Sequence, residues 1–175
     1  MTVGSGVTEV PDYFLYGVGN AEDKLAVSFG GRIGRVGSCA LNNANITNLG
    51  ITLVNCAVGW SAFRDCPGAT QGNIDFPQIT SIDSSAFQGC TNIAGGVNLP
   101  LVTYIGSSAF SGCTGITSVR TPDSLTSLGS SAFSGCTSLI EAEIYGTGLD
   151  LSSTSSLFDN CTSLRRVVFG DGVAQ

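Results

Sequence analysis

Apolar positions alternate in short runs along the chain. Val119 and Thr121, Ala142 and Ile144, and Val167 and Phe169 each flank one outward residue, the period of a short strand with one face buried. A turn such as Pro122-Asp123-Ser124 follows. Next comes an apolar pair three apart, Ile79 and Ile82, Val102 and Ile105, or Leu125 and Leu128, which returns the chain to the core. Then Ser-Ser-Ala-Phe predicts a single helical turn, capped by Ser and stopped by Gly89, Gly112 or Gly135. The expected class is an α/β repeat solenoid, with short parallel strands on one face and single helical turns on the other.

The unit repeats. Phe63, Phe87, Phe110, Phe133 and Phe158 are spaced by 24, 23, 23 and 25 residues, and Cys66, Cys90, Cys113, Cys136 and Cys161 follow at the same spacings. A degraded earlier copy begins at Val36, with Leu41 in the Phe slot and Ala44 in the Cys slot. No unit of this size buries its apolar side alone, so stacking has to make the core. The division expected is an N-terminal cap with a first strand at Lys24–Phe29 over 1–30, a solenoid of one degraded and five clear repeats over 31–169, and a tail over 170–175.

The wording I-G-S-S-A-F-S-G-C-T-S-L, strongest at 82–93, 105–116 and 128–139, resembles the BspA-type leucine-rich repeat, a family known from bacterial surface proteins and from bacterial and phage sequences. The resemblance covers Val36 to Phe169. It departs in the first copy, which lacks Phe and Cys, and in the last, where Ser153 takes the slot of Ile105 and Leu151 is the substitute. It implies a curved solenoid with a role in attachment or protein recognition, and no catalytic residues.

Composition narrows the chemistry. The 175 residues suffice for one domain, and a net charge of -6 from seven Lys+Arg and thirteen Asp+Glu offers little to a phosphate backbone or an anionic membrane. The absence of His removes the commonest general base and metal ligand. No apolar run reaches the roughly 18 residues of a membrane span. Met1 to Pro11 lacks the basic and apolar regions of a secretory signal, so either a leader has been removed or the protein leaves its cell by another route. No catalytic residue, metal or cofactor is expected.

Five of the seven cysteines recur once per coil at an inward slot. Stacked side chains point the same way, and rungs at least ~4.8 Å apart hold Cβ atoms beyond the ~3.8 Å mean of a disulfide, which predicts a buried ladder of reduced thiols. Cys39 and Cys56 lie off that ladder. No CxxC pair exists, Lys24 is the only lysine for a Ser-Lys pair, and Gly17–Gly19 and Gly30–Gly37 complete neither G-x-G-x-x-G nor a P-loop. Asn45-Ile46-Thr47 and Asn160-Cys161-Thr162 match the glycosylation acceptor pattern, which matters only in a glycosylating pathway.

The residue between the inward strand positions defines an outward row, Ser28, Thr52, Asp75, Asn98, Arg120, Glu143 and Val168. A second row two residues earlier holds Ala26, Gly50, Asn73, Gly96, Ser118, Glu141 and Arg166. Both rows belong to one exposed sheet surface. Arg120 beside Glu143 and Glu141 beside Arg166 read either as cross-rung pairing or as a recognition face for a protein or glycan, and the sequence leaves both open. The ends are the expected assembly contacts: the aromatic run Tyr13, Phe14, Leu15 and Tyr16 at one end, and Val168 in the last strand at the other, meeting further copies or virion neighbours. The expected function is a non-enzymatic interaction or attachment module at the cell surface or outside the cell, the alternative being a phage structural protein on the virion surface.

Overall fold

The computed structural model describes residues 1–19, 25–70, 74 and 76–174. The repeat folds as a parallel β-solenoid whose coils carry strands on two sides and tight turns on the third. Eleven strands occur among the described residues: β1 (Thr2–Val3), β2 (Glu9–Val10), β3 (Leu25–Val36), β4 (Ile46–Val58), β5 (Ile79–Ile82), β6 (Gly95–Asn98), β7 (Tyr104–Ile105), β8 (Ile116–Arg120), β9 (Ser127–Leu128), β10 (Glu141–Ile144) and β11 (Arg166–Phe169). One sheet runs β1-β3-β4-β5-β7-β9, with β2 also on β3. The other runs β6-β8-β10-β11, and every pairing is parallel. β3 and β4 are long because in the first coils one strand continues through the corner between the two sides.

The expected alternating runs are β8, β10 and β11, and the apolar pairs three apart are β5 and the approaches to β7 and β9. This second set makes a sheet of its own, which the sequence does not announce. Ile79 and Ile82 are both buried with two part-exposed residues between them, so a search for strict alternation passes over it.

The helical turns are absent. Among the described residues there is no α-helix, only a 3-10 turn at Phe76–Gln78. In each Ser-Ser-Ala-Phe segment the second Ser is left-handed, with φ of 57° at Ser85, 56° at Ser108 and 58° at Ser131, and a second left-handed residue follows four later at Gly89, Gly112 and Gly135. Two such residues in five break the right-handed run an α-helix needs. The backbone donors go elsewhere: Ala86 N–H donates to Asp83 within the turn, while Ser85, Phe87 and Gly89 donate to Ser107, Ala109 and Ser111 of the next coil at 2.8–2.9 Å. Cross-coil bonding at alternate residues takes the donors that would otherwise close helical rings.

The same left-handed pair, four apart, occurs at Tyr13 and Gly17, and at Cys39 and Asn43. Leu15 N–H donates to Ala40, and Leu41 N–H to Ala62, both at 2.7 Å, just as Phe63, Phe87 and Phe110 donate to the Ala of the next coil. Leu15 therefore fills the Phe slot of an additional first coil, and the solenoid starts well before residue 31. At the other terminus, residues 170–174 lie along the preceding coil: Ala174 N–H donates to Leu149 at 2.8 Å and Leu151 N–H to Ala174 at 2.9 Å.

The core runs the length of the stack. Phe63, Phe87, Phe110 and Phe133 are fully buried, and their rings stack at 5.2, 5.3 and 5.5 Å between centroids, continuing to Phe158 at 6.0 Å. Phe76, in the inward strand slot that Leu99 fills one coil later, wedges against Phe87 and Phe110 at a tilt. In the last coil Ser153 is exposed, and Leu151, half-buried, packs against the core in its place.

Candidate recognition face

The outer surface of the β6-β8-β10-β11 sheet carries the C-terminal part of both outward rows, in register. Asn98 pairs with Arg120, Arg120 with Glu143 and Glu143 with Val168, while Gly96, Ser118, Glu141 and Arg166 align two residues earlier. The charges meet across the rungs. Arg120 bonds Glu143, Arg166 bonds Glu141, and Arg166 also lies 3.8 Å from Glu143. Arg120 further sits 4.7 Å from the ring centroid of Tyr145, a cation–π contact. Both arginines are more than half exposed, so solvent screens each pair and the fold's stability depends little on them. The surface is thus a preformed lattice of alternating charge, with an open depression of about 410 Å³ over Gly96, Asn98, Ser118 and Arg120.

The N-terminal part of the rows has a different register. Ser28 pairs with Gly50 and Ala26 with Asn48, whereas Thr52 pairs with Arg32 around the corner. The irregularity between Ser28 and Arg32 inserts residues that a constant repeat length does not foresee, so Thr52 does not continue the row of Ser28. Gly31 lies at this bend, where a Cβ would fall 2.0 Å from the Val7 carbonyl oxygen. Asp75 and Asn73 lie outside the described residues, as does Lys24.

The aromatic run at the N-terminus is divided by its place in the first coil. Leu15 is buried and unavailable as a contact. Phe14 is half-buried against Phe29, at 6.0 Å between centroids. Tyr13 and Tyr16 are exposed and meet edge to face at 5.8 Å. Val168 stands half-buried on the outer face of β11.

A second surface escaped the sequence. The outer side of the other sheet aligns Arg35, Ala57, Ser81, Tyr104 and Ser127, with a depression of about 350 Å³ that Asp83 also lines. Arg35 there is held by Asp12 at 2.8 Å and Glu9 at 3.8 Å. The Arg35 and Ser38 contacts hold the Asp12 carboxyl below its ordinary range, the Ser38 N–H foremost.

All seven cysteines are free, Cys39 and Cys56 among them, and all but Cys161 are buried. Burial pushes the thiols of Cys56 and Cys136 up to about 12 and that of Cys66 to about 11, and raises those of Cys90 and Cys113 as well. A thiol held protonated at neutral pH is neither nucleophile nor metal ligand. Among the described residues no group of three or more His, Cys, Asp or Glu is placed to hold a metal, and no helix is long and apolar enough to cross a membrane.

A family model described as the BspA type leucine-rich repeat region matches the chain in 6 copies over residues 8–100 and 56–175. Among solved structures, a leucine-rich repeat protein of T. pallidum superposes with a TM-score of 0.68 at 24% identity, over 89% of this chain and 79% of that one. A leucine-rich cell surface protein of Faecalibacterium prausnitzii aligns with 97% of this chain and 59% of its own length, at 19% identity and a TM-score of 0.42. No curated protein matches.

Proposed function

Since this chain belongs to the BspA-type leucine-rich repeat family, we propose that it is a non-catalytic module, displayed at a cell surface, that recognises a protein through the outer face of the β6-β8-β10-β11 sheet. The observation that carries this reading is the regular charge lattice of Arg120, Glu141, Glu143 and Arg166 on rigid, hydrogen-bonded rungs. A flat field of alternating sign suits the complementary charges of another protein and adds selectivity and speed of encounter more than raw affinity. Small ligands favour deep, largely apolar pockets, and the depression over Ser118 is open and polar. The protonated, buried thiols and the lack of His support the non-catalytic part of the reading.

The test exchanges the charges within each pair, as R120E/E143R with E141R/R166E. Internal pairing is kept, so the melting temperature stays near that of the wild type, while the outward pattern is inverted. Against an array of purified extracellular proteins, the swapped variant is expected to lose the partner bound by the wild type. Undiminished binding by the folded variant would move recognition to another surface, the Arg35–Tyr104 side being the next to vary.

A further inference from the structure

Coils that share one set of contacts select one residue at each slot, so a slot that breaks the rule marks a residue the fold does not require. Three such departures fall on three successive coils. Gly37, Gly59, Gly106 and Gly129 share a slot whose N–H donates to the inward strand residue of the preceding coil, and Asp83 holds that slot in the coil between Gly59 and Gly106. A Cβ at Gly59, Gly106 or Gly129 would lie 2.9, 2.4 or 2.3 Å from the preceding coil's backbone. Packing therefore favours glycine in this slot, yet Asp83 carries a side chain there. Trp60 stands one coil earlier, in a slot that Ser84, Ser107, Ser130 and Ser155 fill elsewhere, each accepting an N–H of the coil before it. Tyr104 stands one coil later, where its cross-rung partners are Ser81 and Ser127. Both aromatics are exposed, and serine in the same slots shows that the solenoid forms without them.

The three departures meet at one place. Asp83 and Tyr104 line the depression of about 350 Å³, Gly59 lines it too, and Trp60 follows Gly59 at the corner. Ala57 and Ser81, the small residues on the rungs between Arg35 and Tyr104, leave it open. The guanidinium of Arg35 is already taken by Asp12 and Glu9. The Asp83 carboxylate is not matched: one oxygen accepts the Ser84 N–H at 2.7 Å, and no cation among the described residues forms an ion pair with it. We propose that this depression receives a basic side chain, Lys or Arg, of a partner protein, with its charge on the free oxygen of Asp83 and within reach of the rings of Trp60 and Tyr104. A carboxylate and two aromatic faces all present negative potential to a cation, through a charge-assisted hydrogen bond and cation–π attraction. Coils lie ~4.8 Å apart, so each ring is rooted one rung from the carboxylate. Three carboxylates stand here against one guanidinium, on a chain of net charge -6, and this excess selects a cation over a neutral or anionic group. The site lies on the opposite sheet from the charge lattice of Arg120 and Glu143, so the inference stands apart from the reading of that face.

Trp60 is the only tryptophan, so its fluorescence reports on the site in the full chain. Titration with hexalysine is expected to change that fluorescence saturably, and titration with hexaglutamine is not. D83N keeps an oxygen for the Ser84 N–H and removes only the charge, and Y104S restores the residue that the neighbouring coils carry. Each is expected to stay folded by circular dichroism and to weaken hexalysine binding on the order of tenfold. W60S, followed by calorimetry, should weaken it likewise. D159N removes an equal charge from an exposed carboxylate in the last coil and should leave binding unchanged. Fluorescence indifferent to hexalysine, an equal response to hexaglutamine, a folded D83N or Y104S that binds as the wild type does, or D159N as harmful as D83N would each overturn the proposal. Saturation by methyl glycosides without a response to hexalysine would also overturn it and assign the depression to a sugar.

Discussion

The Cys113 thiol donates to the carbonyl of Phe87 in the preceding coil, 3.0 Å away, and that carbonyl already accepts the N–H of Cys90 at 3.1 Å. The relation repeats from Cys90 to Phe63, Cys136 to Phe110 and Cys161 to Phe133, at 2.8, 3.2 and 3.1 Å. Each thiol thus meets the second lone pair of a buried carbonyl while packing as a small apolar group. Ala44 fills the slot in the degraded copy but cannot donate.

Alkaline pH should unfold the protein. The folded-state pKa values of Cys66, Cys56 and Cys136, at about 11, 12 and 12, lie above the ordinary 9.0 because burial disfavours the thiolate. Their contribution is complete below about pH 9 and is lost as pH rises toward 11–12, at roughly 1.4 kcal/mol per pH unit for each thiol. Denaturant midpoints measured from pH 8 to 11 should fall steeply, with a shallower fall in C136A. Equal slopes in the two proteins would sever the link to this thiol.

Thiol reagents should distinguish the last coil. Cys161 is half-buried and is expected to react first in the native protein, the other six reacting only as fast as the fold opens. In denaturant without reductant all seven should titrate, and any shortfall would mean a disulfide.

Truncating the ring ladder should be severe. Phe110 is fully buried between Phe87 and Phe133, with Phe76 tilted against it, so Phe110→Ala is expected to cost about 3–5 kcal/mol. That is a large share of a typical ~5–15 kcal/mol. Phe133→Ala should behave alike. Tyr145→Ala mainly removes the contact with Arg120 and should cost about 0.5–1 kcal/mol. Similar melting losses at all three positions would contradict the inward placement of Phe.

Gly31→Ala should loosen the first coil before the rest. The added Cβ collides with the Val7 carbonyl, an overpacking worth about 1–3 kcal/mol, and β1 and β2 both depend on β3 for pairing. Limited proteolysis is expected to cut within the first ten residues of the variant while the Phe63–Phe133 stack stays protected. Unchanged protection at the N-terminus would show that the bend accommodates a side chain.

The solenoid, its inward Phe and Cys slots and the C-terminal charge rows were all legible in the sequence. Every coil meets the same neighbours, so the same environment selects the same residue at each inward position. The register of the first coils was not legible, because the irregularity between Ser28 and Arg32 adds length on one strand only, and only cross-coil pairing reveals that Thr52 faces Arg32. The sequence places Leu15 in a cap because neither Phe nor Cys marks its coil. Only its bond to Ala40 places it in the Phe slot. Ser-Ser-Ala-Phe carries helix-capping residues, yet forms no helix: its donors lie within reach of the next coil's carbonyls. A hydrogen bond to another coil is a tertiary fact, invisible to local propensity, and it decided the backbone of that entire side.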